Sequence, residues 1–264
     1  MKQLLFIPLI FLTHLTFGQE YALERLEKSP RHHEWTKVKY DGREVLCFVA
    51  YPERAEKTPA VIVIHENQGL TDWVRSFADQ LAEVGFLAIA PDFLSQFSSD
   101  RRRTSDFENS DAARNAIYEL DPGQVASDLE AVQDFAEKAQ ASNGKTAVIG
   151  FCWGGSQAFR FATLNGDIDA ALVFYGSGPG NIEAAKKISA PVYGFYGEND
   201  QRINAGIPAV EKMMKEAGKT YEYEIYPGAG HAYMRQADDP SGDAAAKQAS
   251  TKSWERIKKI LAGL

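Results

Sequence analysis

From Pro59 onward the chain alternates short, continuously apolar runs with longer stretches whose apolar residues recur at helical spacing. The apolar runs are Pro59–Ile64, Phe86–Ala90, Thr146–Ile149, Ala170–Tyr175 and Val192–Tyr196, and Tyr221–Tyr226 reads as a further strand. Runs without polar alternation suit strands covered on both faces. Between them, Thr71 to Val84 places Trp73, Val74, Phe77, Leu81 and Val84 on one helical face. Further helices are predicted over Ala112–Leu120, Gln124–Ala139, Gly155–Thr163, Ile203–Ala217 and Ala244–Leu261. Pro122-Gly123 separates the first of these from the second, and Ser142-Asn143-Gly144 turns into the strand at Thr146. Ahead of the alternating region, Glu34–Tyr40 and Glu44–Tyr51 read as a hairpin around Asp41-Gly42, a dipeptide that tolerates the positive φ of a two-residue turn. Tyr21 to Trp35 is polar and reads as a loosely packed lead into the first strand, and Phe93 to Ser110, rich in serine and arginine, as a loop over one end of the sheet. Strand–helix alternation predicts an α/β fold: a mostly parallel sheet, right-handed crossovers and helices on both faces. No repeat, linker or low-complexity segment divides the chain, so one domain is expected over residues 19–264.

The first residues read differently. Lys2 precedes an apolar stretch, Leu4 to Phe17, and Thr16-Phe17-Gly18 puts small residues at the positions a cleavage enzyme requires. The stretch is short for a membrane span. Residues 1–18 are therefore expected to be a secretory signal peptide, with export to the periplasm or beyond, no lipid anchor and no stable membrane association after its removal.

The remaining composition excludes more than it selects. The 264 residues are 44% hydrophobic and 25% charged, enough for one sizeable core. The net charge is −7 and Arg101-Arg102-Arg103 is the one basic cluster, most simply a solvated loop, so nucleic acid is not an expected partner. There are two cysteines, Cys47 and Cys152. Cys47 lies in an apolar strand run, Val45–Val49, and a disulfide with Cys152 is not expected.

Cys152 sits in Gly150-Phe151-Cys152-Trp153-Gly154, between the strand at Thr146 and the helix at Gly155. This is the G-x-S-x-G arrangement with cysteine in place of serine: a sharp turn that lifts a nucleophile off the end of a strand. The glycines leave room for the turn, and the helix N-terminus behind it favours a thiolate. A cysteine nucleophile needs a base, and the base an orienting acid. His231, in the glycine-rich Pro227–His231 loop after a strand, is the only histidine that follows the elbow. Two acids, Glu198 and Asp200, follow the strand Val192–Tyr196. His65-Glu66 is not a zincin motif, because no second histidine follows at the required spacing.

Four segments together carry a specific resemblance: His65-Glu66-Asn67-Gln68-Gly69-Leu70, Gly150–Gly155, Tyr196-Gly197-Glu198-Asn199-Asp200 and Pro227–Tyr233. In their order and spacing they resemble the dienelactone hydrolase (carboxymethylenebutenolidase) family of the α/β-hydrolase fold, over roughly residues 35 to 261. The resemblance implies a Cys-Asp-His triad, which falls on Cys152, Asp200 and His231, and so selects Asp200 over Glu198. It places a glutamate at Glu66, against the resting thiol. A carboxylate there disfavours a second negative charge and keeps the thiol protonated. It implies an oxyanion hole from the backbone N–H groups of Trp153 and Asn67. Substrate-binding arginines fall on Arg235 and, in a less secure register, Arg114, with Arg202 as another nearby cation. Trp153, Tyr233 and Phe93 are candidates for an apolar lining. The implied activity is hydrolysis of a carboxylic ester or lactone through an acyl-enzyme, without metal or cofactor, on a small-molecule substrate. Export fits equally an esterase of broad specificity acting outside the cytoplasm. A non-catalytic, redox-responsive protein on the same fold is the alternative from a different class. Oligomeric state is left open.

Overall fold

The computed structural model describes residues 19–264, so the expected leader, residues 1–18, lies outside the described residues. The described chain forms one sheet from β1 (His33–Tyr40), β2 (Arg43–Ala50), β3 (Thr58–Ile64), β4 (Leu87–Asp92), β5 (Ser142–Phe151), β6 (Ala170–Phe174), β7 (Val192–Gly197) and β8 (Tyr221–Tyr226). The spatial order is β1-β2-β4-β3-β5-β6-β7-β8. β1 and β2 pair antiparallel, as do β2 and β4, and every later pair is parallel. The hairpin turns on Asp41 and Gly42, whose φ angles of 43° and 81° are the two positive values such a turn needs.

The continuous apolar runs fill two cores at once, because successive side chains of a strand point to opposite faces. In β3, Val61 and Val63 join one core, and Ala60, Ile62 and Ile64 the other. The first core packs beneath α1 (Glu20–Lys28), α2 (Asp72–Glu83), α9 (Tyr233–Asp238) and α10 (Ala244–Leu261). The second packs beneath α4 (Pro122–Lys138), α5 (Trp153–Leu164), α6 (Ile182–Lys187) and α8 (Ile207–Glu216). α3 (Ser110–Glu119) lies over a small separate cluster formed with Leu94 and Phe107.

Several local expectations are corrected. The polar lead after Gln19 contains a helix, α1, whose buried Ala22 and Leu26 face the core while its charges face solvent. Gln19 itself accepts the Trp73 N–H at 2.8 Å, filling one orphan donor at the start of α2. Pro122 does not separate two helices but opens α4, with Asp121 accepting the Gln124 N–H at 2.8 Å. The segment Ser142–Gly144 is already strand, at the start of β5. The helix expected over Ile203–Ala217 is two: α7 (Gln201–Asn204) and α8, divided at Ala205-Gly206 just before Pro208. α6 and α9, six residues each, were not predicted, being too short for a periodic signal. Both cysteines are free. Among the described residues no helix is long and apolar enough to cross a membrane.

Candidate active site

The carboxyl ends of the parallel strands converge on one cleft, the usual place for a site in an open α/β sheet. β5 ends at Phe151 and α5 begins at Trp153, leaving Cys152 alone to make the turn, at φ 54° and ψ −112°. Only the flanking glycines allow this approach. A Cβ on Gly150 would lie 1.9 Å from the Gly154 carbonyl oxygen, and one on Gly154 would lie 2.3 Å from that of His65. Cys152 is half-buried. Burial first, and then the Glu66 carboxylate, push its thiol up to about 11, against the pull of the Trp153 N–H and Arg202. Among the described residues the sulfur has no hydrogen bond to His231 or to Glu66. The resting cysteine is thus a neutral thiol, despite the helix N-terminus behind it.

His231 and Asp200 are brought together as expected. His231 Nδ1 lies 2.5 Å from Asp200 Oδ2. With that nitrogen donating, Nε2 carries the free lone pair. Asp200 is buried and its other oxygen caps the Ile203 N–H at 3.4 Å, so one side chain opens α7 and holds the imidazole. Of the two acids after β7, Asp200 is the one that meets the imidazole. Glu198 Oε2 accepts the Gly228 N–H at 2.8 Å and so ties down the backbone of the histidine loop instead. Gly197 admits that loop, since a Cβ there would meet the Ala229 and Gly230 carbonyl oxygens at 2.6 Å. Ala232, left-handed at φ 60°, turns the chain from His231 into α9.

Glu66 and Arg235 meet across 169 residues of sequence: Arg235 Nε donates to Glu66 Oε2 at 2.7 Å. Arg235 also lies beside α1, where Tyr21 Oη donates to its carbonyl at 3.4 Å. Asn67 and Trp153 both line the cleft, and among the described residues the N–H of neither donates to a backbone carbonyl. The Asn67 side chain donates to Tyr118 Oη at 3.2 Å, bringing α3 to the rim.

His65, which entered only as part of a motif, is fully buried. Its Nδ1 donates to the Glu66 carbonyl at 2.7 Å and its Nε2 accepts the Phe93 N–H at 3.3 Å. Burial holds its imidazolium form down to about 4, so the ring is neutral and single-tautomer. It stacks on Trp153 at 5.4 Å and 15°. The nucleophile turn and the Glu66–Asn67 loop are thereby wedged against one neutral ring.

The cleft has a volume of about 520 Å³. Of the arginines considered, Arg235 and Arg202 line it and Arg114 does not. Arg114 points along α3 to Asp111 at 2.9 Å instead. Among the described residues no carboxylate lies within ion-pairing distance of Arg202. Trp153 lines the cleft, whereas Phe93 and Tyr233 are fully buried behind it; Tyr175 stands where an aromatic lining was sought, 4.9 Å from the His231 ring. No group of three or more His, Cys, Asp or Glu side chains suited to a metal ion occurs among the described residues.

Comparison with known proteins places this geometry. The profile of the dienelactone hydrolase family matches residues 45–263. A Saccharolobus solfataricus protein, provisionally named carboxymethylenebutenolidase, is 30% identical over 257 residues, covering 84% of this chain and 95% of that protein. A crystal structure from Klebsiella pneumoniae, provisionally described as a dienelactone hydrolase, superposes with a TM-score of 0.77 at 24% identity, over 89% of this chain and 99% of that one. A dienelactone hydrolase-like promiscuous phosphotriesterase from metagenomic libraries gives 0.74 at 21% identity, over 89% and 98%. The last two likenesses speak for the α/β-hydrolase fold. A match that runs from β2 through β8 and takes in the elbow and the histidine loop means that this chain belongs to the dienelactone hydrolase family and is a carboxylic ester hydrolase.

Proposed function

We propose that the protein cleaves a small carboxylic ester or lactone by covalent catalysis at Cys152, with His231 as base and Asp200 as its orienting acid. The observation that carries this reading is a free cysteine at positive φ on a strand–helix elbow, sharing one cleft with a histidine already held by a buried aspartate. On substrate binding the thiol proton passes to His231 Nε2 and Sγ bonds to the carbonyl carbon. The carbonyl oxygen becomes an oxyanion facing the N–H groups of Trp153 and Asn67, where preorganised donors stabilise developing charge. The C–O bond then breaks, and the leaving oxygen takes the proton from the imidazolium. Water attacks the thioester, gives its proton to His231, and the proton returns to sulfur as the acid departs. Glu66 keeps the resting thiol neutral, which slows oxidation, since the thiolate is the oxidisable form. A substrate anion that reached Arg235 would have to share it with Glu66, and the carboxylate so loosened could help to take the thiol proton.

The apolar leader supports work outside the cytoplasm, where a guarded thiol is an advantage, and so favours a broad extracytoplasmic esterase as the second reading. Turnover of p-nitrophenyl acetate and of a dienelactone, wild type beside Cys152→Ala, tests both. Turnover abolished by the substitution, with a thioester adduct of intact mass in the wild type, supports the mechanism. Activity that survives it overturns the nucleophile assignment. The ratio of the two rates separates the lactone reading from the ester one.

A further inference from the structure

A second cavity, of about 300 Å³, adjoins the cleft and shares three of its walls: Ser177, Arg202 and Ile203. Its remaining walls come from the Gly176–Gly180 loop after β6, from Gly206 and α8, and from Tyr196 of β7 and Tyr221 of β8. Ile203, Ile207, Val210 and Met213 present hydrocarbon or thioether to it. Its two tyrosines, Tyr196 and Tyr221, are joined by one hydrogen bond between their hydroxyls at 2.9 Å, which engages both oxygens and one of the two O–H groups. These side chains give the space an apolar wall beside the polar groups of Ser177 and Arg202, whereas the cleft also carries the Glu66 carboxylate, Arg235 and the His231 imidazole.

The partition between the two spaces is built firmly. The Ser177 N–H donates to Ser156 Oγ at 2.9 Å, and Ser156 stands on α5 directly behind the elbow. Gly176 lies so close to α5 that a Cβ would come within 2.3 Å of the Gly155 carbonyl carbon, and a Cβ on Gly178 would meet Val210 at 2.5 Å. The loop is thus pinned between the nucleophile helix on one side and α8 on the other. α7 supplies the sill, with Arg202 and Ile203 immediately after the orienting acid Asp200.

We propose that this second cavity is an accessory subsite that receives the apolar arm, alkyl or aryl, of the ester being cleaved at Cys152. The inference rests on the reading of Cys152 as nucleophile and adds to it the substrate class: esters with an apolar arm longer than acetyl, laid across the sill from the reacting carbonyl. Apolar arms gain affinity by leaving water, and a filled pocket discriminates by about tenfold or more for each fitting methylene.

The test uses two series on the full chain. The acyl series runs from p-nitrophenyl acetate to p-nitrophenyl hexanoate, and the alcohol series from ethyl to hexyl acetate. Ala209 lines the cavity from an exposed position on α8, so Ala209→Trp fills the space from its rim without disturbing the core. The expected result is a kcat/KM that rises with length in at least one series. Ala209→Trp then lowers the longest member by at least about tenfold and leaves acetate within about twofold. The unchanged acetate rate is also the control for folding. Met213→Ala, which enlarges the cavity, is expected to shift the optimum to a longer arm. Wild-type rates that do not rise with length in either series, or a length preference that Ala209→Trp leaves unchanged, overturn the subsite. Failure of the underlying mechanism looks different: acetate turnover then survives Cys152→Ala whatever the length profile.

Discussion

Arg235 donates to Glu66 at 2.7 Å, so the arginine that reaches the cleft from α9 is already engaged by the carboxylate that faces the thiol. Three charges are coupled by this contact. Glu66 repels a thiolate, Arg235 partly offsets Glu66, and Arg202, across the cleft, pulls the thiol the other way.

Glu66→Gln removes the repelling carboxylate and releases the guanidinium beside it. Both changes favour the thiolate, so the thiol, now at about 11, is expected to titrate at lower pH. Iodoacetamide inactivation followed against pH reads this directly. Its midpoint moves down and the rate near pH 8 rises. An unmoved midpoint would mean that burial, the larger of the two influences, alone sets the thiol.

Asp200 holds His231 with one oxygen and caps α7 with the other. The two roles separate by substitution. Asp200→Asn keeps a cap but loses the anion and the correct imidazole tautomer, so kcat is expected to fall by roughly 10³–10⁴ with little change in thermal stability. Asp200→Ala loses as much activity and a further stability of about 1 kcal/mol from the missing cap. Thermal unfolding and turnover, measured on both variants, distinguish them.

The cleft's cations are not equivalent. With Arg235 engaged by Glu66, Arg202 is the cation left to meet a negative substrate group. Arg202→Gln is expected to raise KM several-fold for the hemisuccinate of p-nitrophenol and to leave KM for the uncharged acetate unchanged. Arg114→Gln, beyond the cleft and paired with Asp111, is expected to change neither. Equal effects on the charged and uncharged esters would assign Arg202 a structural part only.

Asp92, buried at the end of β4, accepts from Thr104 N–H at 2.7 Å, Thr104 Oγ1 at 2.8 Å and Leu94 N–H at 3.0 Å. Thr104 Oγ1 accepts in turn from Leu70 N–H at 2.8 Å, latching the Phe93–Ser110 loop to the loop that carries Asn67. Thr104→Val removes both the donor and the acceptor and is expected to cost about 1–3 kcal/mol and to lower kcat, while Thr104→Ser restores both. Burial raises Asp92 from 3.8 to about 6. A folded value above the unfolded one makes the stabilising contribution complete below 3.8 and lost as pH rises through 6. Asp92→Asn cannot accept all three bonds, so it is expected to be less stable than wild type at pH 4, with a deficit that shrinks toward pH 7. Denaturant unfolding across that range checks the sign.

The structure has the strands where the apolar runs lie, because a strand buried on both faces leaves a local signal in every residue. The elbow was equally legible. Its glycines answer to contacts within a few residues, such as Gly150 against Gly154. What was misread was short or conditional on a partner. α9 is six residues long, and the polar segment after Gln19 becomes helix α1 because Ala22 and Leu26 find α2 to pack on. The continuous helix expected from Ile203 fails because Gly206 and Pro208 interrupt it.

The sequence by itself determined the sheet-and-helix order, the elbow at Cys152, and the one histidine downstream that could serve it. Those are properties of patterns along the chain, where each residue's neighbours in sequence suffice. Only the tertiary structure decided that Glu66 is paired with Arg235, that Glu198 holds a loop while Asp200 holds His231, and that Arg202 rather than Arg114 lines the cleft. A side chain's charge partner is set by which strand ends the sheet order brings side by side, and nothing along the chain records that.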